Sequence, residues 1–450
     1  MSLAVLLPGF DGTTLPAWLE QRLRDGLGGV CLFGMNITSR SQLEELTAAI
    51  LEANPHAIIA IDEEGGDVSR LYQDRGSPFP GNALLGRLDD AALTERVGAQ
   101  VGWELRAAGV NLTLAPDADI NSNPNNPVIG VRSFGTDAEA VARHVAAWTR
   151  GIEATGVASC AKHFPGHGDT AVDSHHDLPV IDVEEHILSA RELVPFRAAI
   201  AAGARTIMTS HIVVPAYEPD NPATFSRRIL SEILRDELGF TGVIVTDALD
   251  MAGASARRGI PGAAVAALAA GAELLCIGTS NTDEQIDDIL VAIDAAVSDG
   301  TLPSEELETA AAHVRRLGAE LAREREDVSI PRDLILGQVP GLSRDDVRSG
   351  WYVSAEARAL LSDFAGKPVA WVSLDSEPNM AVGPSPWGPF AAGADAAAHV
   401  TEASGLGVLA GIAPGALVVA VGKDLHRRKF AVAAVAALRA ERATLVVDMG

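Results

Sequence analysis

Residues 206–250 read TIMTSHIVVPAYEPDNPATFSRRILSEILRDELGFTGVIVTDALD. The run opens on a short apolar segment, 206–209, and closes on another, 243–246. Between them 226–238 places Ile229, Leu230, Ile233, Leu234 and Leu238 on one face of a helix. A strand, a crossing helix and a second strand make a βα unit, the building block of a parallel sheet.

The same alternation extends outward in both directions. Upstream, strands are expected at 3–7, 30–33, 58–62, 110–115 and 157–162; downstream, one more is expected at 274–277. Helices fit between them, for example at 41–53, 90–108 and 137–155. With 206–209 and 243–246 that makes eight strands, the number that closes a (β/α)8 TIM barrel. An open doubly wound sheet is the rival, but no GxGxxG follows the first strand.

Two more helices are expected at 283–299 and 304–326. The stretch 327–365 carries Pro331, Pro340 and several glycines, and reads as a linker. Strand–helix alternation resumes with VAWVSL, ALVVAVG, FAVAAVAALRAE and TLVVDMG. The expected organisation is a barrel over 1–326, a linker over 327–365, and a partial α/β sandwich domain over 366–450. About 85 residues are few for an independent α/β domain.

The 450 residues are 47% apolar and 21% charged, which excludes wholesale disorder. Aromatics are only 4%, so small and aliphatic side chains must fill the core. A net charge of −25 repels phosphate backbones and anionic bilayers, so no nucleic-acid or membrane partner is expected. The longest uncharged run, 403–422, holds five glycines and Pro414 and reads as strand, turn and strand. Cys31, Cys160 and Cys276 each lie in an apolar run without metal-type spacing, and are expected as buried reduced thiols. The amino-terminal stretch lacks the pattern of a secretory leader, and the expected location is cytoplasmic.

Barrel chemistry gathers at the carboxyl ends of strands. At those positions stand Asp62, Glu63 and Glu64; Asp117 and Asp119, then Arg132; Lys162 and His163; Ser210 and His211; and Asp247. One such residue could be a helix cap or a loop polar group, but the whole set at one end points to an active site. The loop 163–179 is the densest, with four of the eleven histidines between 163 and 176. A metal site, a structural polar loop and a general acid/base site all use that mixture, and acid/base work fits it best. Asp173 and His175, at i and i+2, would share one face of an extended segment. Asp247 ends an apolar strand and suits a nucleophile fixed in the barrel mouth, while Asp250 is the better placed to start the next helix.

IDEEGGDVSRL, NPVIGVRSFG, KHFPGHGDTAVDSHHDLP and GFTGVIVTDALDM resemble, in order and spacing, the motifs of family 3 glycoside hydrolases, in the bacterial β-N-acetylglucosaminidase (β-N-acetylhexosaminidase) branch. The resemblance covers about 25–320 and implies a cofactor-free, metal-free retaining hydrolase of terminal β-linked GlcNAc in peptidoglycan or chitin fragments. It implies Asp247 as nucleophile, His175 as acid/base and Asp173 as its partner. Asp62, Arg70, Arg132, Lys162 and His163 correspond to the sugar-binding set, and His211 is taken with them. Asp67 stands where the family commonly has Arg, which is expected to alter a salt bridge rather than catalysis. The alternatives are a GlcNAc phosphorylase on the same scaffold, a β-glucosidase, a metal-dependent hydrolase using His163, His167 and His175, and a catalytically silent sugar-binding protein.

Overall fold

The computed structural model describes residues 1–171, 178–375, 381–383, 386–412 and 415–449. The chain divides into two compact units, one of Met1–Leu71 with Ser77–Ser343, the other of Arg344–Gly450 with Tyr72–Gly76.

The first unit is built on short parallel strands: β1 (Leu6–Leu7), β2 (Gly29–Leu32), β3 (Ile58–Ile61), β6 (Leu112–Thr113), β7 (Cys160–Phe164), β8 (Thr206–Thr209), β9 (Val243–Val245) and β10 (Leu275–Cys276). A small antiparallel hairpin, β4 (Glu63–Gly65) and β5 (Val68–Ser69), follows β3. Ladders join β2 to β3 and β6, β7 to β8 and β9, and β10 to β1. Single bridges continue the pairing from Leu112 to Ala158 and from Val245 to Leu274. The Cys31 amide donates to the Pro8 carbonyl at 2.9 Å, beside β1.

The packing follows the two-residue period of strands. Ile58, Ala60, Leu112, Leu114, Ala158, Cys160, Val243, Val245, Leu274 and Cys276 meet in one buried cluster. Helix Ser304–Asp327 adds Val314, Leu317 and Leu321 to it. Leu, Ile and Val make up most of the cluster, with Ala60, Ala158 and the three cysteines among them. The three cysteines are buried and unpaired. Gly29 shows how close the strands lie: a Cβ there would stand 2.1 Å from the Ile58 carbonyl oxygen.

Local signals set the helix ends. Ser39, Asp90, Asp137 and Thr282 each accept a backbone N–H from the first turn of the helix they precede. Such a cap contributes about 1 kcal/mol. Gly271 and Gly300 close helices with φ of 109° and 81°, where a Cβ would be strained. The segment expected as a helix over 226–238 is wound as a π-helix, Arg228–Glu237.

The second unit holds four parallel strands, β11 (Val369–Leu374), β12 (Ala396–Val400), β13 (Leu417–Gly422) and β14 (Thr444–Asp448), in the order β12-β11-β13-β14. Helix Lys429–Glu441 packs Ala431, Ala434 and Leu438 on one face of this sheet. The stretch expected as linker contains two short helices, Arg344–Ser349 and Ala355–Asp363. No helix among the described residues is long and apolar enough to cross a membrane.

Candidate active site

Charged side chains converge just past the carboxyl ends of β3, β6 and β7. Lys162 lies inside β7 and is buried. Its Nζ donates to Asp62 Oδ1 at 2.7 Å and reaches Glu64 Oε1 at 2.7 Å. Arg132 grips Glu64 with two bonds, Nε to Oε2 at 3.0 Å and Nη2 to Oε1 at 2.8 Å. Arg70 Nη2 lies 3.5 Å from Asp62 Oδ2. Burial works against every one of these charges, so each persists only because the others are there. Burial would raise Glu64, but Arg132 and Lys162 overcome it and hold the carboxyl at about 2. Asp62 is likewise pulled below its ordinary value, by Lys162 and Arg70 against burial. Asp62 and Glu64 in turn lift Lys162 above its ordinary value despite desolvation.

The β4–β5 hairpin sets this geometry. Gly65 and Gly66 take φ of 75° and 60°, a turn that favours glycine. The turn brings Arg70 back beside Asp62. Glu63 Oε2 accepts the backbone N–H of Arg70 at 2.9 Å and of Leu71 at 3.0 Å, fixing the return strand. Burial pushes the Glu63 carboxyl up to about 7. Asp67 is half-buried in the turn itself.

His163 follows Lys162 in β7 through a cis peptide. Its Nδ1 lies 2.7 Å from Asp119 Oδ2, and its Nε2 lies 3.5 Å from Arg132 Nη2. The Asp119 carboxylate also accepts the backbone N–H of His167 at 2.6 Å. Burial opposes its charge, but the His163 and His167 contacts hold Asp119 below its ordinary value. Asp117 goes the other way, raised by burial and by the negative charge of Asp119. One of its oxygens, Oδ2, is buried without a hydrogen bond. Burial lowers His167 to about 4, so its ring is neutral at pH 7. Glu64, Asp117, Asp119 and His167 carry much of this framework. The signal for Glu64, Asp117 and Asp119 was their position at strand ends and for His167 its place in the histidine-rich loop, but nothing in the sequence showed which partner each takes.

Asp247 lies two residues past β9, partly exposed, with Oδ1 accepting its neighbour's Ala248 N–H at 2.8 Å. His211 is fully buried. Its Nδ1 meets Thr224 Oγ1 at 2.9 Å and its Nε2 meets the Ala248 carbonyl at 3.0 Å. His211 thus packs against the turn that carries Asp247. Asp250 does not cap the following helix, whose cap is Met251. Its carboxylate accepts the Thr279 N–H at 3.1 Å, tying two strand-end loops together. Asp173 and His175 lie outside the described residues.

Among the described residues, Asp117, Asp119 and His163 come close enough together to share a metal ion. Arg132 Nη2 already stands 3.7 Å from Asp117 Oδ2 and 3.5 Å from His163 Nε2. Its guanidinium supplies the positive charge the cluster needs, and a divalent ion there would face both Arg132 and Lys162.

A family model described as the glycosyl hydrolase family 3 N terminal domain matches residues 14–317. The chain is 35% identical over 345 residues to a β-hexosaminidase A of Pseudoalteromonas piscicida, covering 71% of this chain and 58% of that protein. It is 38% identical over 284 residues to a β-hexosaminidase of Stenotrophomonas maltophilia, covering 61% of this chain and 83% of that protein. Among solved structures, a family 3 β-N-acetylglucosaminidase from a Paenibacillus species superposes with a TM-score of 0.84 at 32% identity, covering 99% of this chain and 88% of that one. NagZ of Neisseria gonorrhoeae in complex with N-trifluoroacetyl-D-glucosamine superposes with a TM-score of 0.57 at 32% identity, covering 70% and 98%.

Proposed function

The chain belongs to glycosyl hydrolase family 3, and on that premise we propose that it is a retaining exo-β-N-acetylglucosaminidase. Its substrates are oligosaccharides with a terminal β-linked GlcNAc, released from peptidoglycan or chitin. The relatives named as β-hexosaminidases and the solved N-acetylglucosaminidase support this choice of sugar. The observation that carries the reading is the buried cluster of Lys162, Arg132, Asp62 and Glu64 at the strand ends. Such a fixed array of donors and acceptors suits a ring of sugar hydroxyls.

The fold is read as a closed (β/α)8 barrel over 1–326, with 327–365 connecting to a smaller α/β domain over 366–450. Strand pairings that run in sequence order and return from β10 to β1 support the barrel.

The reaction is a double displacement. Asp247 attacks C1 of the sugar as the bond from C1 to the leaving oxygen breaks. His175, oriented by Asp173, gives that oxygen its proton. A water molecule then attacks C1 of the glycosyl-enzyme, His175 takes the water's proton, and Asp247 leaves. Asp62, Arg70, Arg132, Lys162 and His163 hold the sugar, and His211 braces the turn behind Asp247.

Turnover of aryl β-GlcNAc should exceed that of aryl β-glucoside by on the order of a hundred-fold or more in kcat/KM, because a site made for the amide leaves polar groups unpaired without it. Assays with and without phosphate separate hydrolysis from phosphorolysis. Equal rates on both sugars, or a strict need for phosphate, would overturn the reading.

A further inference from the structure

Asn126 lies in the loop between β6 and helix Ala138–Glu153 and is 1% exposed. Its carboxamide is used on both sides. Nδ2 donates to the carbonyls of His167 at 2.9 Å and Gly168 at 3.1 Å, and reaches Thr170 Oγ1 at 3.3 Å. Oδ1 accepts the backbone N–H of Val128 and of Ile129, both at 2.9 Å. The Val128 carbonyl then accepts from Arg132 Nη1 at 3.3 Å. One side chain thus joins the loop that delivers Arg132 to the loop that leaves β7. The second loop is packed tightly at the same place. A Cβ on Gly168 would stand 1.6 Å from the Ile120 carbonyl oxygen, so this backbone has one seat.

We propose that Asn126 is a positioning residue for catalysis. Its amide nitrogen sets the entry of the acid/base loop at His167–Thr170, and its amide oxygen sets the turn that aims Arg132. The proposal rests on the reading that Asp173 and His175, the next ionisable residues along that loop after Asp169, do the proton transfer. Touching no substrate, Asn126 acts only through these two loops.

The two sides can be separated. Asn126→Asp keeps the acceptor for Val128 and Ile129 but turns an oxygen toward the His167 and Gly168 carbonyls. Repulsion between these oxygens should displace the loop entry and leave Arg132 in place. Substrates with poor leaving groups depend most on the general acid. Their kcat/KM should therefore fall on the order of a hundred-fold, and that of 2,4-dinitrophenyl GlcNAc by less than about tenfold. Buried against carbonyl oxygens, the introduced carboxyl should hold its proton to unusually high pH, and once protonated it can donate again. The charged groups on the segments packed against it are Asp119, Asp169 with its partner Arg191, and Arg132, with the His167 ring adjacent. The variant-to-wild-type ratio for poor leaving groups should therefore recover as pH falls from 7 to 5. Asn126→Ala loses both sides and should add a KM increase for every aglycone.

Thr170→Val serves if the Asp variant does not fold, and should show the same leaving-group bias more weakly. A loss that is uniform across leaving groups and flat with pH would overturn the proposal, as would unchanged kcat/KM. Wild-type protein that fails to turn over any aryl GlcNAc would overturn the functional reading instead, so the two failures are distinguishable.

Discussion

Both ends of the first unit's strands carry dense ion pairs, yet they are built differently. At the amino ends, Arg205 bridges Glu153 and Glu324, and Arg235 pairs with Glu273. Glu273 also holds His313 Nδ1 at 2.6 Å. Arg235, Glu153 and Glu273 also bond backbone groups, as when Glu153 Oε1 accepts the Ser159 N–H at 2.8 Å, while Arg205 Nη2 is buried without a hydrogen bond. A cavity of about 720 Å³ opens here, between Ile200, Arg205, Phe240, Arg316 and Leu317. At the carboxyl ends, carboxylates crowd one another. Asp117 lies beside Asp119 with an oxygen left without a hydrogen bond, and Lys162 and Arg132 share Glu64. The amino-end pairs staple helices to strands. Charges held near their own kind are expensive to fold, which marks the carboxyl ends as the candidate site. Neither a cavity, nor the number of charges, nor an unbonded polar atom separates the two ends; the crowding of like charges does, with Asp119 and Glu64 both raising Asp117.

The sharpest way to break this contrast is at Asp247. Asp247→Ala should lower kcat/KM by on the order of 10⁴-fold, with an unchanged melting profile. A 5-fluoro GlcNAc derivative, which keeps the 2-acetamido group, should label Asp247, and a label mapped by peptide mass to Asp250 would remove Asp247 from the nucleophile's role.

Next comes Lys162→Met. It should cost on the order of 10²–10³ in kcat/KM, the loss expected for one preorganised donor. Activity retained within a few-fold would make the carboxyl-end network merely structural.

The matching change at the other end is Arg235→Met. Among the described residues Glu273 then keeps His313 as its charged partner, and the first unit should lose about 3 kcal/mol. Denaturant melts should register that loss while kcat/KM of the folded protein stays within twofold. A large drop in kcat/KM would erase the distinction between the ends.

The smallest effect is on pH dependence. Glu63 and Glu192 are both pushed up to about 7, in each case first by burial. A carboxyl raised on folding binds its proton more tightly in the folded state. Its stabilisation is complete below the unfolded value of about 4.5 and is lost as pH rises through about 7. Glu64, held at about 2, behaves oppositely, and its contribution disappears only as pH falls from about 4.5 toward 2. Urea midpoints should therefore decline between pH 5 and 7. Glu63→Gln and Glu192→Gln should each flatten that slope; a slope unaltered in both would show that neither carboxyl carries the proton.

The strands were legible because buried parallel strands are nearly continuous apolar runs, as in IIAI or VIV. Their ends were less so. Strand β7 runs on to Phe164, past the expected end at Lys162, but its register with β8 shifts between Ala161 and Phe164, so Lys162 and His163 sit at the irregularity. The β4–β5 hairpin was missed because EEGGDVSR has no apolar alternation, and its structure comes from Glu63 bonding two amides. Asp62, Arg132, Lys162 and His163 were readable as a group because they sit at strand ends. The buried position of His211 was not, since it depends on Thr224 and Ala248 folding around it. Asn126 carries no charge and sits among other asparagines and prolines, so only the bonds it makes identify it.

The two-residue strand β1 bears on the order of events as the chain is made. Leu6 pairs with Leu275 and Leu7 with Cys276, and the Gly9 N–H donates to the Gly278 carbonyl at 2.9 Å. The first strand therefore waits for the last. At synthesis rates of about 5–20 residues per second, roughly ten to fifty seconds separate the emergence of the two. Through that interval Leu6 and Leu7, both fully buried at the end, have no neighbour on one side. A bulky fusion that keeps the first nine residues from docking should let the remaining strands assemble but leave the seam beside β10 open, so the yield of native protein depends on how freely this short beginning can return to close it.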